Sequence, residues 1–155
     1  GFVSRGLGDV YKRQGEWNAS PQAITATAEW FFPCLTQFVW GVNSLADGYI
    51  VEGVHFLPGH AVQLATEFPI RPLFLGCSKM SLEHFNRFPG RSKGYASLPE
   101  ETKRQIVDDL PRWSHFIVRE ADNYCCPYLD TSDDFGSRLA EAENLLLDGI
   151  PSSPE

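Results

Sequence analysis

The chain has few cysteines and no long hydrophobic run. Its 155 residues include four cysteines, Cys34, Cys77, Cys125 and Cys126, and none of them forms a C-x-x-C pair. This spacing disfavours a zinc site, because zinc ligands must converge on one point. We expect reduced, mostly buried thiols, as in a cytoplasmic protein. The apolar runs are too short to span a membrane, and the first residues lack the apolar core of a signal peptide.

Basic residues are also scarce. The chain has 13 Lys and Arg residues against 20 Asp and Glu residues, which gives a net charge of −7. A nucleic-acid-binding protein needs a basic face, so we expect no nucleic-acid partner. The 43% hydrophobic and 13% aromatic content is enough for a core, and the length suits one domain.

The N-terminal segment GFVSRGLGDVYKRQ resembles translated sequencing-adapter read-through. We therefore predict that residues 1–14 are a non-native segment and exclude them from the fold. Gly6, Gly8 and Lys12 do not match the phosphate-binding pattern G-x-x-x-x-G-K-[ST]. No apolar strand precedes these residues, and no Ser or Thr follows the lysine.

Helical and strand patterns alternate from Ser20 onward. Three short apolar runs predict buried strands, at residues 49–56, 70–75 and 126–130. Helices are predicted from Pro21 to about Ala46, from His60 to Phe68, from Ser81 to about Phe88, from Leu98 to about Tyr124 and from Phe135 to Leu147. Pro33 and Pro111 are expected to break or bend their helices. This order predicts an α/β fold with a parallel sheet, whose ligands bind outside the carboxyl ends of the strands.

The segment I-V-E-G-V-H-F-L-P around Glu52 resembles the strand of small-molecule P-loop kinases that ends in a carboxylate. The spacing to Y-L-D-T-S-D-D-F, with a tryptophan-containing helix before it, is similar too. The resemblance is to adenylate-kinase-like and 2-phosphoglycerate kinase-like proteins and covers about residues 16–148. It implies an incomplete three-layer domain with helices on both faces of the sheet. Residues 15–150 would be the C-terminal part of that domain and residues 151–155 a tail.

The resemblance also implies an activity, namely ATP- and Mg²⁺-dependent phosphoryl transfer to a small-molecule acceptor in the cytoplasm. Such transfer needs the loop G-x-x-x-x-G-K-[ST], which the 155 residues do not contain. We therefore predict an inactive kinase fragment that lacks the first, central strand. The other strands would flank the resulting gap, and their exposed edges predict instability and self-association.

Two candidate residues lie near the first predicted strand. Glu52 is expected to bind Mg²⁺ through water or to orient the acceptor, and the alternative is an acid paired for structural reasons. His55 is expected to bind substrate or to support Glu52, and the alternative is a structural histidine.

The other candidates follow the second and third strands. Arg87, Arg91 and Lys93 lie where related kinases place a mobile lid. We assign Arg91 and Arg87 to catalysis and Lys93 to substrate binding, the alternative being a solvated surface loop. Asp130 and Thr131 would lie near the nucleotide base, unless they only cap the last helix.

Two other functional classes remain open. A non-catalytic binding or scaffold domain could be completed by a partner chain, with the helix from Trp30 to Trp40 as an interface. A flavodoxin-like or other doubly wound enzyme has little support, because the chain lacks a glycine-rich first turn. Trp30, Trp113 and Phe116 are expected in the core, and the alternative is that they are stacking platforms for a ligand.

Overall fold

The computed structural model describes residues 20–45, 48–88 and 93–148. Within these ranges the chain combines helices with a two-stranded parallel sheet, as the α/β prediction requires at its coarsest level. The elements are α1 (Pro21–Asn43), α2 (Pro58–Ala65), β1 (Phe74–Gly76), α3 (Leu82–Arg87), α4 (Lys93–Ala96), α5 (Glu100–Asn123), β2 (Tyr128–Asp130) and α6 (Phe135–Leu147). None of these helices is both long and apolar enough to cross a membrane.

The two strands pair in parallel, and α5 lies between them in the sequence and packs against β1. Gly76 lies opposite Asp130. The ladder extends by one hydrogen bond beyond the strand ends, from the N–H of Thr131 to the carbonyl of Gly76 at 2.8 Å. The predicted strands at 70–75 and 126–130 are therefore confirmed in place but are shorter than expected. Pro72, which has no N–H to donate, precedes β1.

Residues 49–56 do not form the predicted strand. Residues 48–53 have no regular secondary structure, residues 54–55 form a turn, and no described residue offers this segment a backbone hydrogen bond. Ile50 is 84% exposed and Val54 62% exposed. A strand buried on both faces needs neighbouring strands and covering helices, and the described residues supply neither here.

The two long helices continue through their prolines. α1 runs through Pro33, and α5 runs through Pro111. Neither proline breaks its helix, which leaves a bend as the predicted effect. Each proline removes one N–H donor, but buried residues on both sides of it hold the helix against the core. These residues are Ala28 and Leu35 in α1, and Ile106 and Ile117 in α5.

The core consists of two clusters. The larger one joins α1, α2, α5 and both strands: Ala28, Leu57, Ala61, Phe74, Ile117, Ala121 and Cys126. Trp113 and Phe116 pack against this cluster with their rings stacked at 5.2 Å. The smaller cluster, Leu35, Val39, Leu64 and Phe68, joins α1 to α2 and the residues after it.

Trp30 does not belong to the core. Its side chain is 73% exposed, so that prediction is wrong. α1 turns Ala28, Leu35 and Val39 inward, and the helical period places Trp30 on the outer side.

The thiols are also more exposed than expected. Only Cys126 is buried, Cys77 is half-buried, and Cys34 and Cys125 are exposed. The adjacent pair differs because Cys125 lies in a turn with a φ of 53° and not on a strand. All four thiols are free.

Candidate functional site

Two polar loops meet at the carboxyl edge of the sheet. Residues 77–79 follow β1, and residues 131–133 follow β2. The Oδ1 atom of Asp130 accepts three hydrogen bonds there: from the N–H of Ser78 at 3.2 Å, the N–H of Ser132 at 3.0 Å and the hydroxyl of Ser132 at 2.5 Å. No described residue donates a hydrogen bond to Oδ2. Oδ1 is thus fixed by donors from both loops.

The Asp130 carboxylate is strongly acidic. Its partial burial acts to raise the pKa, but the hydrogen bonds from the side chains and backbones of Ser132 and Ser78 outweigh this effect. They lower the pKa from 3.8 to about 2. Asp130 is therefore ionised at neutral pH, and it can only accept hydrogen bonds.

Ser132 and Lys79 join the two loops further. The N–H of Lys79 donates to the hydroxyl oxygen of Ser132 at 2.9 Å, and the two hydroxyls of Ser78 and Ser132 lie 3.3 Å apart. The ammonium group of Lys79 lies 3.1 Å from a carboxylate oxygen of Asp133. Both side chains of this ion pair are exposed, so it contributes at most about 1 kcal/mol to stability. The ion pair holds the Lys79 ammonium group at the carboxyl edge of the sheet.

Helix α5 supports the loop after β1. The hydroxyl oxygen of Ser114 accepts the N–H of Cys77 at 2.7 Å, and the same hydroxyl donates to the carbonyl of Leu110 at 2.9 Å. The ring of Tyr128 lies against Gly76, where an added Cβ atom would overlap with the tyrosine hydroxyl. Glycine at position 76 thus leaves room for the ring of Tyr128.

An open concavity of ≈ 380 Å³ lies beside this network. It is lined by Ser78, Lys79, Met80, Ser81, His84 and Pro111. Hydroxyl, ammonium and imidazole groups can all form hydrogen bonds with a polar ligand. The concavity therefore offers polar groups to a ligand, and Ser78 and Lys79 connect it to the Asp130 network.

Asp130 and Thr131 differ from each other in the contacts they make. Asp130 lies at the centre of the network, whereas both the N–H and the hydroxyl of Thr131 donate to the carbonyl of Gly76 at 2.8 Å. Thr131 thus links the strands. The cap of α6 is Asp134, whose carboxylate accepts the N–H of Ser137 at 3.1 Å. The alternative that Asp130 and Thr131 cap the last helix is therefore wrong.

The two candidates from the first predicted strand, Glu52 and His55, make no described hydrogen bond or ion pair to this network. Glu52 is exposed on the irregular segment 48–53, and His55 lies in the following turn. Burial lowers the pKa of His55. Among the described residues, no hydrogen bond or ion pair joins either side chain to Asp130.

The lid candidates are only partly described. Arg87 is exposed at the end of α3, and its guanidinium carbon lies 5.2 Å from the ring centroid of Phe88. Lys93 is the first residue of α4. Arg91 lies outside the described residues.

Within the described part of the chain, no group of three His, Cys, Asp or Glu side chains could hold a metal ion. A single carboxylate such as Glu52 fits Mg²⁺ only in company with water and substrate phosphates, which is the usual manner of Mg²⁺ binding in kinases.

Sequence reasoning missed the loop after β1. Ser78 and Lys79 follow a strand that was predicted, so the rule that placed Asp130 at the carboxyl edge applied to them as well. The role of Ser114 had no comparable signal, because it depends on how α5 packs against β1.

Comparisons with family models, curated proteins and solved structures found no match to this chain.

Proposed function

We propose that the chain is part of an ATP-dependent small-molecule kinase in which the nucleotide base or ribose binds beside Asp130. The observation that supports this proposal most is the parallel β1–β2 pair with both polar loops at its carboxyl edge. Ligands of parallel α/β sheets bind at this edge. The free Oδ2 atom of Asp130 would accept a hydrogen bond from an amine or hydroxyl group of the nucleotide.

The remaining candidates would act on the phosphates and the acceptor. Glu52 would hold Mg²⁺ through water or orient the acceptor, with His55 beside it. The cations Arg87, Arg91 and Lys93 would close on the transferring phosphoryl group. ATP would supply that group when bound. The finer fold of this proposal is a three-layer domain with helices on both faces of a parallel sheet, whose first, central strand would lie upstream.

ATP titration calorimetry tests the proposal on two proteins, this chain and the product of its complete reading frame. We expect no micromolar binding by the 155 residues, because they lack the phosphate-binding loop. The complete product should contain that loop upstream and should bind ATP with Mg²⁺. In it, Asp130→Ala should weaken binding about tenfold, which corresponds to about 1.4 kcal/mol. Asp108→Ala, an exposed change on α5, is the control.

Two outcomes would reject the kinase. One is sharp cooperative unfolding together with micromolar ATP binding by the chain alone. The other is a complete reading frame that has no phosphate-binding loop.

The second of these outcomes would favour a non-catalytic scaffold domain completed by a partner chain. The observation behind this alternative is the exposed apolar segment 48–54, whose backbone groups have no partner among the described residues. An added strand could pair with such a segment and satisfy them.

A further inference from the structure

The concavity beside the Asp130 network has walls that favour an anion. Three of the side chains that line it can donate hydrogen bonds to a ligand: Lys79, Ser81 and His84. None of the described residues that line it carries a carboxylate. In the whole chain, by contrast, acidic residues outnumber basic ones by 20 to 13. The concavity therefore differs in charge from the average of the molecule, and an anion is favoured there over most of the surface.

We propose that the concavity binds the phosphate group of a small phosphate monoester. The ammonium group of Lys79 has three N–H donors, and the two oxygens of Asp133, at 3.1 and 3.2 Å, occupy at most two of them. The third donor remains for a ligand. The hydroxyl oxygen of Ser81 accepts the backbone N–H of His84 at 3.1 Å, and its hydrogen has no acceptor among the described residues. The ring N–H of His84 is a further donor.

The number of donors fits a phosphate group better than a carboxylate. A phosphate monoester has three terminal oxygens that accept hydrogen bonds and a charge of about −1.5 to −2, whereas a carboxylate has two oxygens and a single charge. The volume of ≈ 380 Å³ is near the lower end of the range of about 300–1,000 Å³ for small-molecule sites. Met80 and Pro111 add apolar surface for the organic part of the ligand.

The Asp130 network holds the backbone of Lys79 in place. The hydroxyl of Ser132 donates to Asp130, so it is the acceptor in its 3.3 Å contact with the hydroxyl of Ser78. The same oxygen accepts the N–H of Lys79 at 2.9 Å. Ser78 therefore keeps its hydroxyl hydrogen within the network, and the pairing of the two loops positions Lys79 before a ligand binds.

Proton NMR of the full chain, titrated with methyl phosphate at neutral pH and constant ionic strength, tests the site. The ring protons of His84, assigned by comparison with His84→Gln, should shift and saturate with a Kd of about 1 mM. Lys79→Gln should weaken binding at least about fivefold because it removes an ammonium donor, and Lys79→Arg should retain binding. The matched control is Arg119→Gln, which removes one positive charge from an exposed residue of α5 about 12 Å along the helix from Pro111.

Asp133 provides a test in the opposite direction. Its carboxylate competes with the ligand for the ammonium group of Lys79, and both side chains of this ion pair are exposed. Asp133→Asn should therefore tighten the binding of methyl phosphate about threefold, which is the strength of an ordinary exposed ion pair. The control is Asp122→Asn, which removes a negative charge about 16 Å along α5 from Pro111 and should change the Kd less than about twofold. Circular dichroism should show that these variants keep the fold, since all the substituted side chains are exposed.

Three outcomes would overturn the proposal. One is a shift of the His84 protons that rises without saturation. Another is a Kd for acetate equal to that for methyl phosphate, because it would indicate a carboxylate site. The third is equal tightening by Asp133→Asn and Asp122→Asn, because it would show an effect of net charge alone. The titration needs neither ATP nor the phosphate-binding loop, so this inference does not rest on the kinase proposal and the two can fail separately.

Discussion

At the scale of single residues, Asp130 connects the ends of the two strands through one oxygen atom. Its Oδ1 atom receives donors from Ser78 on one loop and Ser132 on the other, 54 residues further along the chain. Fixing this carboxylate does not require its second oxygen. A residue that is held in this way is ready to accept a ligand without losing further side-chain freedom.

The low pKa of Asp130 predicts a pH-dependent contribution to stability. This contribution is fully present above the unfolded-state pKa of 3.8 and is lost as the pH falls through about 2. Asp130→Asn should therefore reduce the free energy of unfolding by about 1–2 kcal/mol near neutral pH, after allowance for solvent screening. The difference from the wild type should shrink toward about pH 2.

Urea denaturation across this pH range measures the effect. Asp108→Asn is the control, since that carboxylate is exposed on α5. An Asp130→Asn difference that stays constant with pH would show that the charged form is not the stabilised one.

At the scale of elements, α1 and α2 meet at His60. The imidazole is buried, stacks on Phe32 with ring centroids 4.1 Å apart, and contacts Glu29 through Nε2. Its Nδ1 atom is buried and has no hydrogen-bond partner. The packing of the ring therefore stabilises the helix pair, while the unpaired nitrogen opposes it.

Two substitutions of His60 should separate these effects. His60→Ala should lower the free energy of unfolding by about 2–3 kcal/mol, because it leaves a cavity beside Phe32. His60→Phe retains a ring for stacking and removes the unpaired nitrogen, so it should cost less than about 1 kcal/mol. Urea denaturation at neutral pH gives both values. Equal losses in the two variants would show that the contact with Glu29, and not the packing, holds α1 to α2.

At the scale of the whole molecule, exposed apolar side chains lie on α1, on the segment that follows it and on α6. Trp30, Phe38 and Trp40 on α1 are each more than half exposed, and so are Tyr49, Ile50 and Val54 on the segment. In the kinase proposal, the missing part of the domain would lie against this surface. The predicted instability of the chain, which was argued from exposed strand edges, stays a prediction.

Hydrogen exchange tests the state of residues 48–53. Their amides should exchange at nearly unprotected rates, because no described residue accepts a hydrogen bond from them. The amides of α5 should be the slow reference, since that helix packs against β1, α1, α2 and α3. Strong protection at 48–53 would show that the segment already has a strand partner.

Much of the helical structure is determined locally and could be predicted. Ser20 and Ser81 cap α1 and α3 as expected, and α6 spans Phe135–Leu147 as predicted. A helix satisfies its hydrogen bonds within its own segment, and a cap acts within a single turn. The apolar spacing along α5 predicted part of its inner face: Ile106 and Ile117 are buried, whereas Tyr124 is 46% exposed.

Tertiary contacts decided the remaining features. The run at 49–56 has the composition of a buried strand, but a strand forms only when another strand accepts its hydrogen bonds. Trp30 is apolar, yet its exposure depends on which side of α1 the neighbouring elements cover. The candidate site joins residues that are more than 50 positions apart. The contacts between these residues depend on the pairing of β1 with β2 and on the packing of α5. Local sequence patterns do not encode that pairing or that packing.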